Sequence, residues 1–115
     1  MSGSGDDLFR EMFFEEAGEL LATLEKGLTG LSQGPVDRAK VDPVYRAAHS
    51  LKGAAAMVGL ATVSELALAM ERSLSQVRSG ALGWAPELAS ALAAERERLA
   101  AEVAQEERQF RSSSK

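Results

Sequence analysis

The sequence predicts an all-α protein folded as an antiparallel up-down four-helix bundle. Three observations support this fold class. First, the composition favours helix, because Ala, Leu, Glu and Arg are abundant while only 3 of 115 residues are proline and 5% are aromatic. Second, four stretches carry apolar residues at helical spacing. Third, the connections between these stretches are short, so neighbouring helices pack most simply side by side in alternating directions.

The length suits a single domain with one hydrophobic core. We expect a flexible segment rich in Gly and Ser at 1–5. The helical bundle is expected at 6–110, followed by a polar tail or the start of a linker at 111–115.

The first helix is predicted from Asp6 to Gly30 or Gly34. Asp6 and Asp7 suit the positive end of the helix dipole, and either glycine can end the helix. One stripe of its surface is apolar and is expected to face the core: Phe9, Phe13, Ala17, Leu20, Leu24, Leu28 and Leu31.

The pair Gly34-Pro35 interrupts the helical pattern after the first helix. A short extra helical turn is expected near 35–40. The second helix is predicted to begin at about Pro43 with Asp42 as its N-cap, because proline suits the first helical position. Gly59 is expected to end it through a positive φ. The residues expected on its core side are Val44, Ala48, Leu51, Ala55 and Val58.

The third helix is predicted over 61–79, with Gly80 as its C-cap. The fourth is predicted to begin near Pro86 and to run towards Phe110. The expected core residues of the third helix are Val63, Leu66, Ala67, Met70, Leu74 and Val77. Those of the fourth form a thinner stripe of Leu88, Leu92, Leu99 and Val103.

Charge and composition exclude several classes of function. Thirteen basic and 17 acidic residues give a net charge of −4, and no basic run suits nucleic acid or an anionic membrane. One histidine and no cysteine are too few ligands for a typical metal site, so no bound metal is expected. The chain has no GxxxxGKS or GxxxxGKT phosphate loop and no apolar run of about 18 residues. We therefore expect a cytoplasmic domain that binds no ATP or other cofactor itself.

The only histidine of the chain, His49, lies in the middle of the second helix. On a helical wheel it falls more than about 90° from the centre of the apolar stripe. It shares the outer face of the helix with Tyr45, Lys52, Gly53 and Ala56. A role for this histidine in the core is therefore poorly supported.

Two features make this histidine accessible and suited to a phosphate. Gly53 lies mid-helix at a cost of about 1 kcal/mol relative to alanine, and three alanines follow it, so small residues surround the imidazole. Lys52, three residues after the histidine, places a compact positive charge beside the ring.

Glu71 of the third helix is the candidate partner of the imidazole. It lies at the rim of the apolar stripe, where it can face the groove between the second and third helices. By accepting a hydrogen bond from His49 Nδ1, it would hold the tautomer that leaves Nε2 free as a nucleophile. The alternative is that Glu71 only pairs with Lys52 or Arg72 on the surface.

The segment AAHSLKGAAAMVGL resembles the signature of histidine-containing phosphotransfer domains, a histidine followed by Leu-Lys-Gly and then, about six residues later, a glycine. These residues are His49, Leu51, Lys52, Gly53 and Gly59. The segments FFEEAGELLATLEKGL and LALAMERSLSQVRSGAL are similar to the flanking helices of the N-terminal phosphotransfer (P1) domain of CheA-type chemotaxis histidine kinases. The resemblance extends from about Asp7 to Ala104.

This resemblance implies a phosphotransfer domain of two-component and chemotaxis signalling, which is not an enzyme on its own. His49 would accept a phosphoryl group on Nε2 from ATP in a separate kinase domain and pass it to an aspartate of a response-regulator receiver domain. Lys52 would offset the phosphate charge, Glu71 would orient the ring and Gly53 would give partners close access. Partner domains would supply ATP and Mg²⁺, and the isolated domain is expected to be a monomer.

The chain departs from the family pattern three residues before Glu71, where the family often has a second histidine and this chain has Leu68. The wheel places Leu68 away from the core. Leu68, Leu60 and Ala56 can form part of an apolar docking patch beside the site, but the exposed Leu68 can also be an isolated surface leucine, which is the more common case. The rate of transfer and the lifetime of the phosphohistidine are therefore not expected to follow from the family pattern alone.

Two other interpretations stay open. The chain can be a stand-alone phosphorelay carrier that receives its phosphate from a receiver domain. It can also be a non-catalytic helical interaction bundle in which His49 is a solvated bystander. The similarity of the first and third helices to the CheA-type domain favours a source in a kinase domain.

Overall fold

The computed structural model describes residues 5–113, which form four helices. These are α1 (Gly5–Leu31), α2 (Arg38–Met57), α3 (Ala61–Ser79) and α4 (Pro86–Ser113). Helix α2 packs against α1 and α3, and α4 packs against the same two helices, as in an up-down bundle. The described part contains no strand. Gly5, the last residue of the segment predicted at 1–5, is the first residue of α1. Residues 1–4 of that segment and the last two residues of the predicted tail lie outside the described residues.

The core runs along the long axis of a bundle of 52 by 19 by 18 Å. All four helices contribute to it, and no polar or charged side chain of residues 5–113 is buried. Its largest fully buried side chains are Leu24, Leu31, Leu51, Met70, Leu74, Leu92, Leu99, Val41, Val44 and Val63. Burial of these apolar surfaces is the main force that holds the helices together.

The apolar stripe of α1 differs in part from the predicted one. Phe9 is 61% exposed and Leu20 is half-buried, whereas Phe14 and Leu21 are buried. The stripe is turned towards α4, where the ring of Phe14 lies 5.5 Å from the ring of Phe110. Phe9 falls about 85° from the centre of this stripe, so its prediction as a core residue is wrong.

Helix α2 begins at Arg38, so the predicted start at Pro43 is wrong. Asp37 is the N-cap, and its Oδ1 accepts a hydrogen bond from the backbone N–H of Lys40 at 3.0 Å. Val41 is 1% exposed, so the helical turn before the proline also contributes to the core. Pro43 lies inside the helix on an exposed side, where it removes one backbone donor and its ring crowds the carbonyl of Ala39. The separate turn expected before this helix is instead its first turn.

Helix α3 has the predicted bounds, and the glycines at its two ends explain them. Gly59 has φ +77° and Gly80 has φ +86°, a conformation that glycine adopts without strain. The turn after α2 is closed by hydrogen bonds from the backbone N–H groups of Gly59 and Leu60 to Ala56 and Ala55. These bonds set where α3 starts relative to α2.

Helix α4 continues through Ser113, so residues 111–113 are helical rather than a polar tail. Arg111 fixes this end to α1, because its Nη1 lies 2.6 Å from Glu11 Oε1 and its Nη2 lies 2.9 Å from Glu107 Oε2. Among the residues that the structure describes, no helix has the length and apolar character needed to span a membrane.

Candidate phosphoacceptor site on α2 and α3

His49 projects from the outer face of α2, and 57% of its side chain is exposed. On the opposite face Ala48 and Leu51 are fully buried, which fixes the rotation of the helix. Gly53 and Ala56 lie on the histidine side and are exposed. The imidazole therefore stands on a surface of small residues that another protein can approach.

The imidazole is hydrogen-bonded to α3. Its Nδ1 lies 3.0 Å from Glu71 Oε2. An ionised carboxylate only accepts hydrogen bonds, so Nδ1 carries the proton in this pair. The lone pair of the neutral ring is then on Nε2, the nitrogen that this contact leaves available.

The Glu71 carboxylate also binds Lys52, whose Nζ lies 2.7 Å from Glu71 Oε1. The Glu71 side chain is 12% exposed, and its burial acts to raise its pKa. Hydrogen bonds from Lys52 and His49 outweigh that effect, and the net pKa of Glu71 is lowered. The carboxylate therefore stays ionised near neutral pH and joins the lysine to the histidine.

Tyr45 is a half-buried member of this site rather than an open contact residue. Its ring stacks on the His49 imidazole with centroids 6.1 Å apart and planes at 19°. Its hydroxyl lies 3.4 Å from Glu71 Oε2, and the guanidinium carbon of Arg78 lies 4.2 Å from the centre of its ring. Arg78 was not among the predicted site residues, since only the pairing of α2 with α3 brings it here.

The predicted docking patch is only partly present. Ala56 is exposed and Leu68 is half-buried, but Leu60 is 5% exposed and belongs to the core. The positive φ of Gly59 turns the chain back over the end of the bundle, and this directs Leu60 inwards. Its prediction as a surface residue of the patch is wrong.

A different apolar surface lies at the N-terminal end of α1 and the C-terminal end of α2. It consists of four exposed side chains, which are Leu8 at 61%, Phe9 at 61%, Met12 at 57% and Met57 at 88%. Phe9 and Met57 line the same shallow depression. A helical wheel of α2 alone could have placed Met57 outwards, but not beside Phe9.

Within residues 5–113, no group of three or more His, Cys, Asp or Glu side chains is placed to hold a metal ion. What the site offers chemically is one exposed imidazole, one carboxylate that orients it and one ammonium on the same carboxylate. That set suits transfer of an anionic group to nitrogen.

The family model of the Hpt domain matches residues 8–102, which is most of the chain. The chain belongs to the Hpt domain family. This Hpt domain is similar to chemotaxis protein CheA of Rhizobium meliloti (strain 1021), with 44% identity over 73 residues. It is also similar to chemotaxis protein CheA of Salmonella typhimurium, with 39% identity over 72 residues. These matches cover 64% and 63% of this chain but 10% and 11% of the two relatives, so the chain spans about a tenth of their length.

Solved structures show the same architecture. The CheA phosphotransferase domain from Thermotoga maritima superposes with a TM-score of 0.81 and 25% identity, covering 90% of this chain and 97% of that one. The phosphorylated P1 domain of CheA3 in complex with CheY6 from R. sphaeroides gives a TM-score of 0.79 at 25% identity, covering 86% and 77%. The predicted four-helix bundle and the predicted family are therefore confirmed.

Proposed function

We propose that this Hpt domain is the phosphoacceptor of a CheA-type chemotaxis kinase and that His49 carries the phosphoryl group. The observation that carries the proposal is the 3.0 Å hydrogen bond between His49 Nδ1 and Glu71 Oε2 on an otherwise exposed imidazole. This bond selects the tautomer in which Nε2 has a free lone pair.

In the first step, the Nε2 lone pair attacks the γ-phosphorus of ATP. The N–P bond forms while the bond from phosphorus to the β,γ-bridging oxygen breaks, and ADP leaves. No proton has to leave Nε2, because the proton is already on Nδ1. The ring becomes positively charged as the bond forms, and the ionised Glu71 carboxylate stabilises that charge. We assign ATP and Mg²⁺ to the kinase domain.

In the second step, a carboxylate oxygen of a receiver-domain aspartate attacks the same phosphorus. The P–Nε2 bond breaks, its electron pair returns to Nε2, and the ring is again neutral with a proton on Nδ1. Lys52 binds the same carboxylate as the ring, and its ammonium offsets the charge of the bound phosphoryl group in both steps. The exposed face around Gly53 leaves room for each partner in turn.

The similarity to CheA proteins supports a kinase domain as the source of the phosphoryl group, rather than the receiver domain of a stand-alone phosphorelay. The similarity to a P1 domain described in complex with CheY6 supports a receiver domain as the acceptor. The monomeric state and the cytoplasmic location expected from the sequence stay predictions.

Radiolabelled ATP and a cognate kinase domain test this function. We expect acid-labile label on the wild-type chain and on Ser50→Ala, a matched control at the exposed neighbouring position. His49→Gln should carry none. Addition of a receiver domain with Mg²⁺ should then remove the label from the wild type. Equal labelling of His49→Gln, or no label on the wild type, would contradict the proposal.

A further inference from the structure

Tyr45 lies one helical turn before His49 and contacts both partners of the hydrogen bond that orients the imidazole. Its ring stacks on the imidazole at a centroid distance of 6.1 Å. Its hydroxyl lies 3.4 Å from Glu71 Oε2, the same oxygen that His49 Nδ1 binds at 3.0 Å. A substitution of Tyr45 therefore affects both the His49 ring and the Glu71 carboxylate.

Two other side chains hold Tyr45 in this place. Arg78 has its guanidinium carbon 4.2 Å from the centre of the tyrosine ring, within the range of cation–π attraction. Its Nη1 lies 3.5 Å from Oδ1 of Asp42, which precedes Tyr45 by three residues on α2. All three side chains are half-buried. The tyrosine ring is thus anchored from α3 before any partner binds.

The Tyr45 hydroxyl is a second hydrogen-bond donor to Glu71 Oε2. Within residues 5–113, the side chains that bind the Glu71 carboxylate all come from α2: Lys52 on Oε1, and His49 and Tyr45 on Oε2. Leu68, one turn before Glu71 on α3, has no polar side-chain atom to add. Two donors on Oε2 restrain the plane of the carboxylate more than one donor does, since each has its own preferred direction.

We propose that Tyr45 is a positioning residue for phosphoryl transfer, which holds Glu71 Oε2 against His49 Nδ1 and restrains rotation of the imidazole. This inference rests on the proposed function of His49. Tyr45 itself accepts no proton and bonds no phosphoryl group, because it acts through Glu71 and through contact with the ring. At 3.4 Å its hydrogen bond is longer than the usual O–H···O distance of about 2.8 Å, so its effect is modest.

The test uses the 115-residue chain with Tyr45→Phe, which removes only the hydroxyl, and Tyr45→Leu, which also removes the aromatic ring. The tautomer of His49 is measured by ¹⁵N NMR at about pH 9, where imidazole is neutral. His49 is the only histidine, so its ring nitrogens are identified directly. The maximum rate of phosphorylation and the KM for the kinase domain are measured in parallel.

Tyr45→Phe should lower the ratio of the Nδ1–H to the Nε2–H tautomer and the maximum rate about two- to fivefold. The KM and the melting temperature should be unchanged. Tyr45→Leu should lower the rate about tenfold or more, because it also frees the ring. In a Glu71→Ala background, Tyr45→Phe should have no further effect on the tautomer.

Wild-type tautomer and rate in Tyr45→Phe would overturn this proposal, and so would an equal effect of the substitution with and without Glu71. The NMR measurement needs no kinase. If the wild-type chain takes up no phosphate, the proposed function of His49 fails, while the tautomer alone decides whether Tyr45 positions the ring.

Discussion

Replacement of Glu71 by glutamine tests the chemistry of the site most directly. The substitution keeps the shape of the side chain and removes its charge. Lys52 Nζ, at 2.7 Å, should retain the single amide oxygen, so the amide NH₂ group faces His49 Nδ1. Because NH₂ donates and does not accept, it favours the tautomer with the proton on Nε2. That proton occupies the position from which the phosphoryl group is attacked.

The expected loss of phosphorylation rate follows from the loss of the hydrogen bond between His49 Nδ1 and the carboxylate. A hydrogen bond to a charged group contributes about 1.5–3 kcal/mol, which corresponds to about 10- to 150-fold in rate. The His49 side chain is 57% exposed, so water replaces part of the interaction and the low end applies. We therefore expect Glu71→Gln to slow phosphorylation about tenfold and to reverse the tautomer seen by ¹⁵N NMR.

Initial rates of acid-labile labelling, at a saturating concentration of the kinase domain, measure the loss of phosphorylation rate. Glu65→Gln is the matched control, since Glu65 is an exposed carboxylate on the same helix. It should leave the rate and tautomer unchanged. The helical content of both variants should equal that of the wild type in circular dichroism. A Glu71→Gln variant with the wild-type tautomer, or with a rate within twofold of Glu65→Gln, would refute this account of the site.

Three further predictions follow from the same structure. Lys52→Met should slow transfer about five- to tenfold, because the phosphoryl charge loses its counter-charge. It should also lower the free energy of unfolding by about 1–3 kcal/mol, because the mostly buried Glu71 carboxylate loses its partner at Oε1. Labelling rates and unfolding in urea measure the two effects, and a wild-type labelling rate would contradict the role of the lysine. Gly53→Ala and the control Gly18→Ala should each raise the free energy of unfolding by up to about 1 kcal/mol, since both glycines are helical with open space beside them. Only Gly53→Ala should slow labelling, because a partner approaches the helix closely there. Equal labelling rates of the two variants would argue against this close approach. The Glu95 pKa is raised by burial, partly offset by Arg98, so its ionised form opposes folding above that pKa. Glu95→Leu should therefore raise the melting temperature at pH 7. This gain should shrink as the pH falls through the raised pKa of Glu95 towards the ordinary value of 4.5. An equal gain at pH 7 and at pH 4.5 would contradict a cost of burying the ionised carboxylate.

Local patterns were sufficient for much of the fold. The bounds of α3 agree with the prediction because Gly59 and Gly80 end helices through a positive φ, a property of single residues. The exposure of His49 agrees with the helical wheel because Ala48 and Leu51 opposite it are apolar and buried. Where one residue or one face decides the structure, the sequence alone predicts it.

Contacts between helices decided the points that the sequence missed. Asp42 was predicted to cap α2, but its carboxylate faces Arg78 of α3, and the helix starts before it. Phe9 lies outside the core because the buried stripe of α1 is centred on the side of Phe13 and Phe14, where Phe14 packs against Phe110 of α4. Leu60 is buried because the turn after α2 folds back over the core.

The site shows the same division. The motif and wheel identified His49, Lys52 and Glu71 as a possible group, but left open whether Glu71 pairs with the lysine or with the histidine. In the folded chain it binds both, one through each carboxylate oxygen, and Oε2 also accepts from Tyr45. The sequence determined which side chains face outwards from each helix. Only the tertiary structure fixed the register of α2 against α3. The hydrogen bonds to Glu71 depend on that register, because a hydrogen bond is lost when its donor and acceptor move apart by about 1 Å.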